Sequence, residues 1–90
     1  MFNQKFELGQ TLVTPGAYEA LNLKDAADCL VRHASGDWGD MSEEDKAYNE
    51  EALVTGDRIL SSYRDSNGIK FWIITEWDRS TTTILLPDEY

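Results

Sequence analysis

Arg32 to Asp45, RHASGDWGDMSEED, gathers the only histidine of the chain, two glycines flanking a tryptophan, and five carboxylates. Three chemistries are open to such a set. His33 has the side chain whose ordinary pKa lies nearest neutrality, so it is the candidate general acid or base. In a ribonuclease-like or other hydrolytic reading, Arg58 or Arg79 would steady a phosphate beside it. Cys29 precedes His33 by four residues, one helical turn, which admits a Cys–His nucleophile pair but names no third group to orient it. Metal chemistry fares worse. A calcium loop opening at Asp37 would need oxygen ligands where Gly39 and Met41 stand, and Cys29 with His33 is two ligands short of a zinc site. We expect no metal and no cofactor.

Each of these residues also has a plainer reading. A lone histidine beside an apolar helix face is most often a satisfied packing residue. Gly36 can stop a helix, Gly39 can turn the chain, Asp37 and Asp40 can accept from free amides, and Trp38 can plug the corner. Arginines among so many acids most often form ion pairs. If the loop acts by contact, its candidate binding residues are Asp37, Trp38, Asp40, Glu43 and Glu44. The polar hairpin end, Trp77, Asp78 and Arg79, joins them.

The elements that must position these residues divide the chain in two. Phe6 to Val13 can form a strand. Thr14 caps a short helix entered at Pro15 and running through Leu21. Asn22 caps a second, in which Leu23, Ala26, Ala27, Leu30, Val31 and Ala34 form an apolar stripe. That stripe leaves His33 at its edge and Cys29 on the polar side. Ser42 opens a third helix ending near Gly56, with Tyr48 and Ala52 on one side and the polar residues toward water. The second half is strand-like. Asn67-Gly68, read as a two-residue hairpin loop, sets Tyr63 opposite Trp72, Arg64 opposite Phe71 and Leu60 opposite Thr75. A third strand ends at Pro87.

We therefore expect one α+β domain spanning residues 1–90. Helices in 15–54 pack on a three-stranded antiparallel meander in 58–86, to which an N-terminal strand can be added. This register makes both sheet faces apolar. One holds Ile59, Tyr63, Trp72 and Ile74; the other holds Leu60, Phe71, Ile73 and Trp77. The helices can cover only one. We expect the N-terminal segment, a partner protein or a second copy to cover the other, with a homodimer through the sheet face.

Seventeen acids against eight Lys and Arg give a net charge of −9. That disfavours direct nucleic-acid binding, which rests on clustered positive charge. It favours a basic protein partner or mimicry of nucleic acid, although a solubilising role is the simpler explanation. No apolar run approaches the roughly 20 residues of a membrane span, and no signal-like segment opens the sequence. With a single cysteine, a cytoplasmic location is expected.

From Thr14-Pro15-Gly16 to Tyr90 the chain resembles a family of short bacterial proteins carried on plasmids, prophages and integrative elements. The likeness rests on Arg32-His33, Gly36-Asp37-Trp38-Gly39-Asp40, Glu44-Asp45, Asn49, Arg58-Ile59-Leu60-Ser61 and Tyr63. It continues through Trp72-Ile73-Ile74-Thr75-Glu76, Asp78-Arg79-Ser80, Thr82-Thr83 and Leu85-Leu86-Pro87. Trp77 departs from the pattern, standing where a small residue is expected. The resemblance implies a mobile-element context and no activity. Together with the charge it suggests an acidic, non-enzymatic inhibitor or regulator of a host defence or nucleic-acid-processing protein. A ribonuclease-like toxin using His33 is the alternative.

Overall fold

The structure, a computed structural model, describes residues 3–90. Its order is β1 (Gln10–Val13), α1 (Pro15–Ala20), α2 (Leu23–Ala34), α3 (Glu43–Thr55), β2 (Ile59–Arg64), β3 (Lys70–Thr75) and β4 (Thr81–Leu85), closed by a 3-10 turn at Pro87–Glu89. The three caps form as their residue types dictate. Thr14, Asn22 and Ser42 accept from the amides of Ala17, Asp25 and Asp45, and Gly56 ends α3 in the left-handed region. β2, β3 and β4 form the expected antiparallel meander. β1 joins it in parallel with β4, giving a four-stranded sheet in the order β1-β4-β3-β2.

The hairpin register differs from expectation by one residue. Tyr63 pairs with Phe71, Arg64 with Lys70 and Leu60 with Ile74. The loop has three residues, Ser66-Asn67-Gly68, because Asp65 directs it. The Asp65 backbone bonds Ile69 across the strand ends and accepts from Gly68 N–H, while Gly68 takes a φ of 81°. The Asp65 carboxylate accepts from the amides of Asn67 and Ile69, and also from Asn22 at the start of α2. This is a turn followed by a left-handed residue, the usual three-residue hairpin.

A slip of one residue exchanges the faces of a strand. The helix-facing side therefore carries Ile59, Ser61 and Tyr63 beside Phe71, Ile73 and Thr75, with Thr82 and Ile84 in line. Tyr63, Phe71, Ile73 and Ile84 pack on Ala17, Leu21, Ala26 and Cys29 in the main core. A second cluster, Trp38, Ala52 and Ile59, gathers Phe6, Met41 and Leu53 under α3. Each large side chain so buried contributes about 1.5–3 kcal/mol. Phe71 and Ile73 are thus core residues, and the expected surface patch of Phe71, Ile73 and Trp77 does not exist. The opposite face holds Leu60, Trp72, Ile74 and Leu85. There Trp72 packs edge-to-face on Tyr90, whose ring lies under the Arg58 guanidinium. The C-terminal turn thus covers part of this face, a role expected of the N-terminal segment or of a partner.

Two helix faces also differ from expectation. α2 buries Ala26, Cys29, His33 and Ala34 and leaves Leu23 and Val31 exposed, so Cys29 is not on the polar side. α3 buries Asn49 with Ala52 and exposes Tyr48. The Asn49 amide explains its own burial. Its Nδ2 donates to Leu60 C=O at 2.7 Å, and its Oδ1 accepts from Leu60 N–H at 3.3 Å. One side chain thus imitates a neighbouring strand on the outer edge of β2. Asn49→Ala should cost about 2 kcal/mol, and Asn49→Asp more, because a carboxylate cannot donate to Leu60 C=O. Urea melts of the two variants check the order.

Candidate functional site

His33 sits at the junction of α2 with β2, β3 and β4, and its exposure is 0%. Nδ1 lies 2.6 Å from Ser61 Oγ, and Nε2 lies 2.8 Å from Thr75 Oγ1. Thr75 Oγ1 is 2.7 Å from Thr82 Oγ1, which donates to Leu8 C=O at 2.6 Å. A hydroxyl has one proton to give, so this last bond fixes the whole chain. Thr82 donates to Leu8, Thr75 to Thr82, and Nε2–H to Thr75. The chain thus requires a proton on Nε2, and in the neutral ring Nδ1 accepts from Ser61. Its ring meets Phe6 edge-on at 5.2 Å and Trp38 at 6.0 Å. Burial, reinforced by the positive charge of Arg79, pushes its pKa down to about 3. A histidine held neutral, saturated with partners and shut away from solvent is a core residue. It has no free nitrogen to offer a substrate.

The other residues of the hydrolytic reading are not assembled around it. Arg58 belongs to the opposite sheet face, over Tyr90. Arg79 is closer to His33, but its guanidinium is directed at backbone carbonyls. It donates to the carbonyls of Asp57, Glu76 and Ala52, and lies over the Phe6 ring. Arg79 thereby satisfies carbonyls at the C-terminal end of α3 and holds the β3–β4 turn, where its own φ is 59°. Cys29 is buried, and burial pushes its thiol pKa up, away from nucleophilic thiolate. Among the described residues no group of three or more His, Cys, Asp or Glu could hold a metal ion.

The contact residues divide in the same way. Asp37 receives a bidentate Arg32 guanidinium and the Gly39 amide, with the arginine the main cause of its lowered pKa. Trp38 is buried, donating Nε1–H to Glu50 at 2.7 Å. Gly39 pairs with Ser62, and the Asp40 amide bonds Ser62 C=O, so residues 38–40 run along β2 as a strand fragment. Asp78 accepts from the amide and hydroxyl of Ser80 within the turn. These residues build the fold. The side chains of Asp40, Glu43, Glu44 and Trp77 face solvent, with Trp77 68% exposed.

Along α3 the acidic residues face water as expected, and Tyr48, expected on the inner side with Ala52, is exposed among them. Glu43, Glu44, Asp45, Glu50 and Glu51 are exposed together with Tyr48 and Val54, at 57% and 88%. Beside them a groove of about 290 Å³ is lined by Met41, Asp45, Tyr48, Asn49, Arg58 and Leu60. The sequence signal was available in the Tyr48–Val54 spacing, which does not match an inward stripe. No helix is long and apolar enough to cross a membrane. Comparison with protein-family models, curated proteins and solved structures finds no match to this chain, so its site is read from its own geometry.

Proposed function

We propose that this is a small non-enzymatic inhibitor or regulator that binds a basic protein partner through the outer face of α3. The observation carrying this reading is the combination on one helix of five exposed carboxylates with two large uncovered side chains, Tyr48 and Val54. Acids steer a basic partner and set its orientation, while a central aromatic side chain supplies the desolvated contact that holds it. The net charge of −9 adds a long-range field of the same sign. The mobile-element resemblance makes a host defence or nucleic-acid-processing protein the natural target, with the acidic helix standing in for a nucleic-acid backbone. The ribonuclease alternative calls on His33, which is buried and has both ring nitrogens bonded.

The test is affinity capture from a bacterial host at low and moderate salt, with wild type beside Tyr48→Ala and a Glu44→Lys/Glu51→Lys double variant. The expected result is a basic partner held by wild type and weakened on the order of tenfold or more by either change. Failure to capture a basic protein under either salt condition, or capture indifferent to all three substitutions, would remove the proposal. Cleavage of cellular RNA on expression would revive the competing one.

A further inference from the structure

The two edges of the sheet are treated differently. The outer edge of β2 is closed, by residues 38–40 at Ser62 and by the Asn49 amide at Leu60. The outer edge of β1 is open. Gln10 N–H donates to Ser80 C=O and Thr14 N–H to Ile84 C=O. In a parallel ladder alternate residues bond the same neighbour, so Gln10, Leu12 and Thr14 face β4. The N–H and C=O groups of Thr11 and Val13 point outward, with no partner among the described residues. All four residues of β1 are exposed. Exposed edges are normally guarded by charge, proline or a bulge. Gln10–Val13 has none of these, and no charged residue occurs from Leu8 to Tyr18.

We propose that a second copy of this chain pairs antiparallel with β1, joining two four-stranded sheets into one of eight strands. Charge selects this occupant. Two copies of net charge −9 repel wherever acids meet, whereas Gln10–Val13 carries no charge, and the Glu89 carboxylate borders it at Thr14, beyond the residues that would pair. A basic peptide would find no charge to attract it at a neutral strand and much at α3. One symmetric register pairs the outward groups of both Thr11 and Val13. Thr11 of each copy exchanges both backbone bonds with Val13 of the other, which sets Leu12 directly against Leu12 of the second copy across the two-fold axis. Leu12 is 41% exposed, and the two side chains would cover each other. This contact differs from a dimer through the sheet face, and it does not depend on the function assigned to α3.

Sedimentation of wild type, Leu12→Lys, Leu12→Glu and an equimolar mixture of the two variants tests the pairing. The expected result is a wild-type dimer at high micromolar concentration and half that mass for each variant alone. The mixture should reassociate, because Lys then faces Glu across the axis. Amide exchange adds a readout free of substitutions: Thr11 and Val13 should exchange more slowly as protein concentration rises. A monomeric wild type, variants that remain dimeric, a mixture that stays monomeric, or exchange at Thr11 and Val13 independent of concentration would each overturn the proposal.

Discussion

Lowering the pH from 7 to 4 should remove about 3 kcal/mol of folding stability through His33 alone. The folded pKa, about 3, lies below the ordinary value of 6.5. Between the two, the unfolded chain takes up a proton that the folded chain refuses. The contribution is therefore complete above pH 6.5 and is lost as pH falls toward 3. By pH 5 the loss is already about 2 kcal/mol, before most unfolded carboxylates titrate. Asp37 and Asp65, both held below the usual carboxylate range, act in the same direction at lower pH. Urea melts at pH 7 and pH 5 measure the slope, and His33→Gln should flatten it in that window. If the variant is too unstable to melt cleanly, the imidazole nitrogen shifts of the wild type should still report a constant Nε2–H tautomer from pH 8 to pH 5. Titration of those shifts near 6.5 would show a solvated histidine and reopen its catalytic candidacy.

Gly39→Ala should be among the most damaging single changes, costing about 3 kcal/mol or more. A Cβ there would lie 2.1 Å from Ser62 C=O and 2.6 Å from the Tyr63 ring, on a backbone with φ of 77°. Relief requires residues 38–40 to leave β2, which pulls Trp38 out of the second core cluster. Gly68→Ala is the control. Its φ is 81°, but no atom comes within 4 Å of the added methyl. It should lose only the left-handed strain, about 1 kcal/mol. Chemical denaturation of the two variants separates clash from conformation. Equal losses would mean that residues 38–40 do not lie against β2 as described.

Helix starts at Thr14, Asn22 and Ser42 were readable because capping is local chemistry, and the meander was readable from Asn-Gly between β-rich runs. The register was not, since the side chain of Asp65 selects the loop length by bonding Asn67, Ile69 and the distant Asn22. The inward face of α2 is hidden from sequence for a related reason. Hydrophobic periodicity counts Leu23 and Val31 and discounts His33, yet Ser61, Thr75 and Thr82 arrive from three strands to make histidine a core residue. Trp38 as the corner plug was legible from the flanking glycines. Arg79 as a clamp was not, because its carbonyl partners lie at the end of α3, more than twenty residues away for Ala52 and Asp57.

Among the described strands, β4 alone joins an early and a late part of the chain: it pairs Gln10–Val13 on one side and Lys70–Thr75 on the other. As the chain grows on a ribosome, helices and the β2–β3 hairpin can form from what has already emerged. β1 must wait, unpaired, until Thr81–Leu85 is made, and closing so long a loop is slow. The Glu89 carboxylate, which accepts from Thr14 and Gly16, then fastens the tail to the start of α1. Until Thr81–Leu85 is available, β1 therefore stays open to proteases and to premature strand pairing. Synthesis that stalls after β3 leaves an exposed sheet edge and no domain.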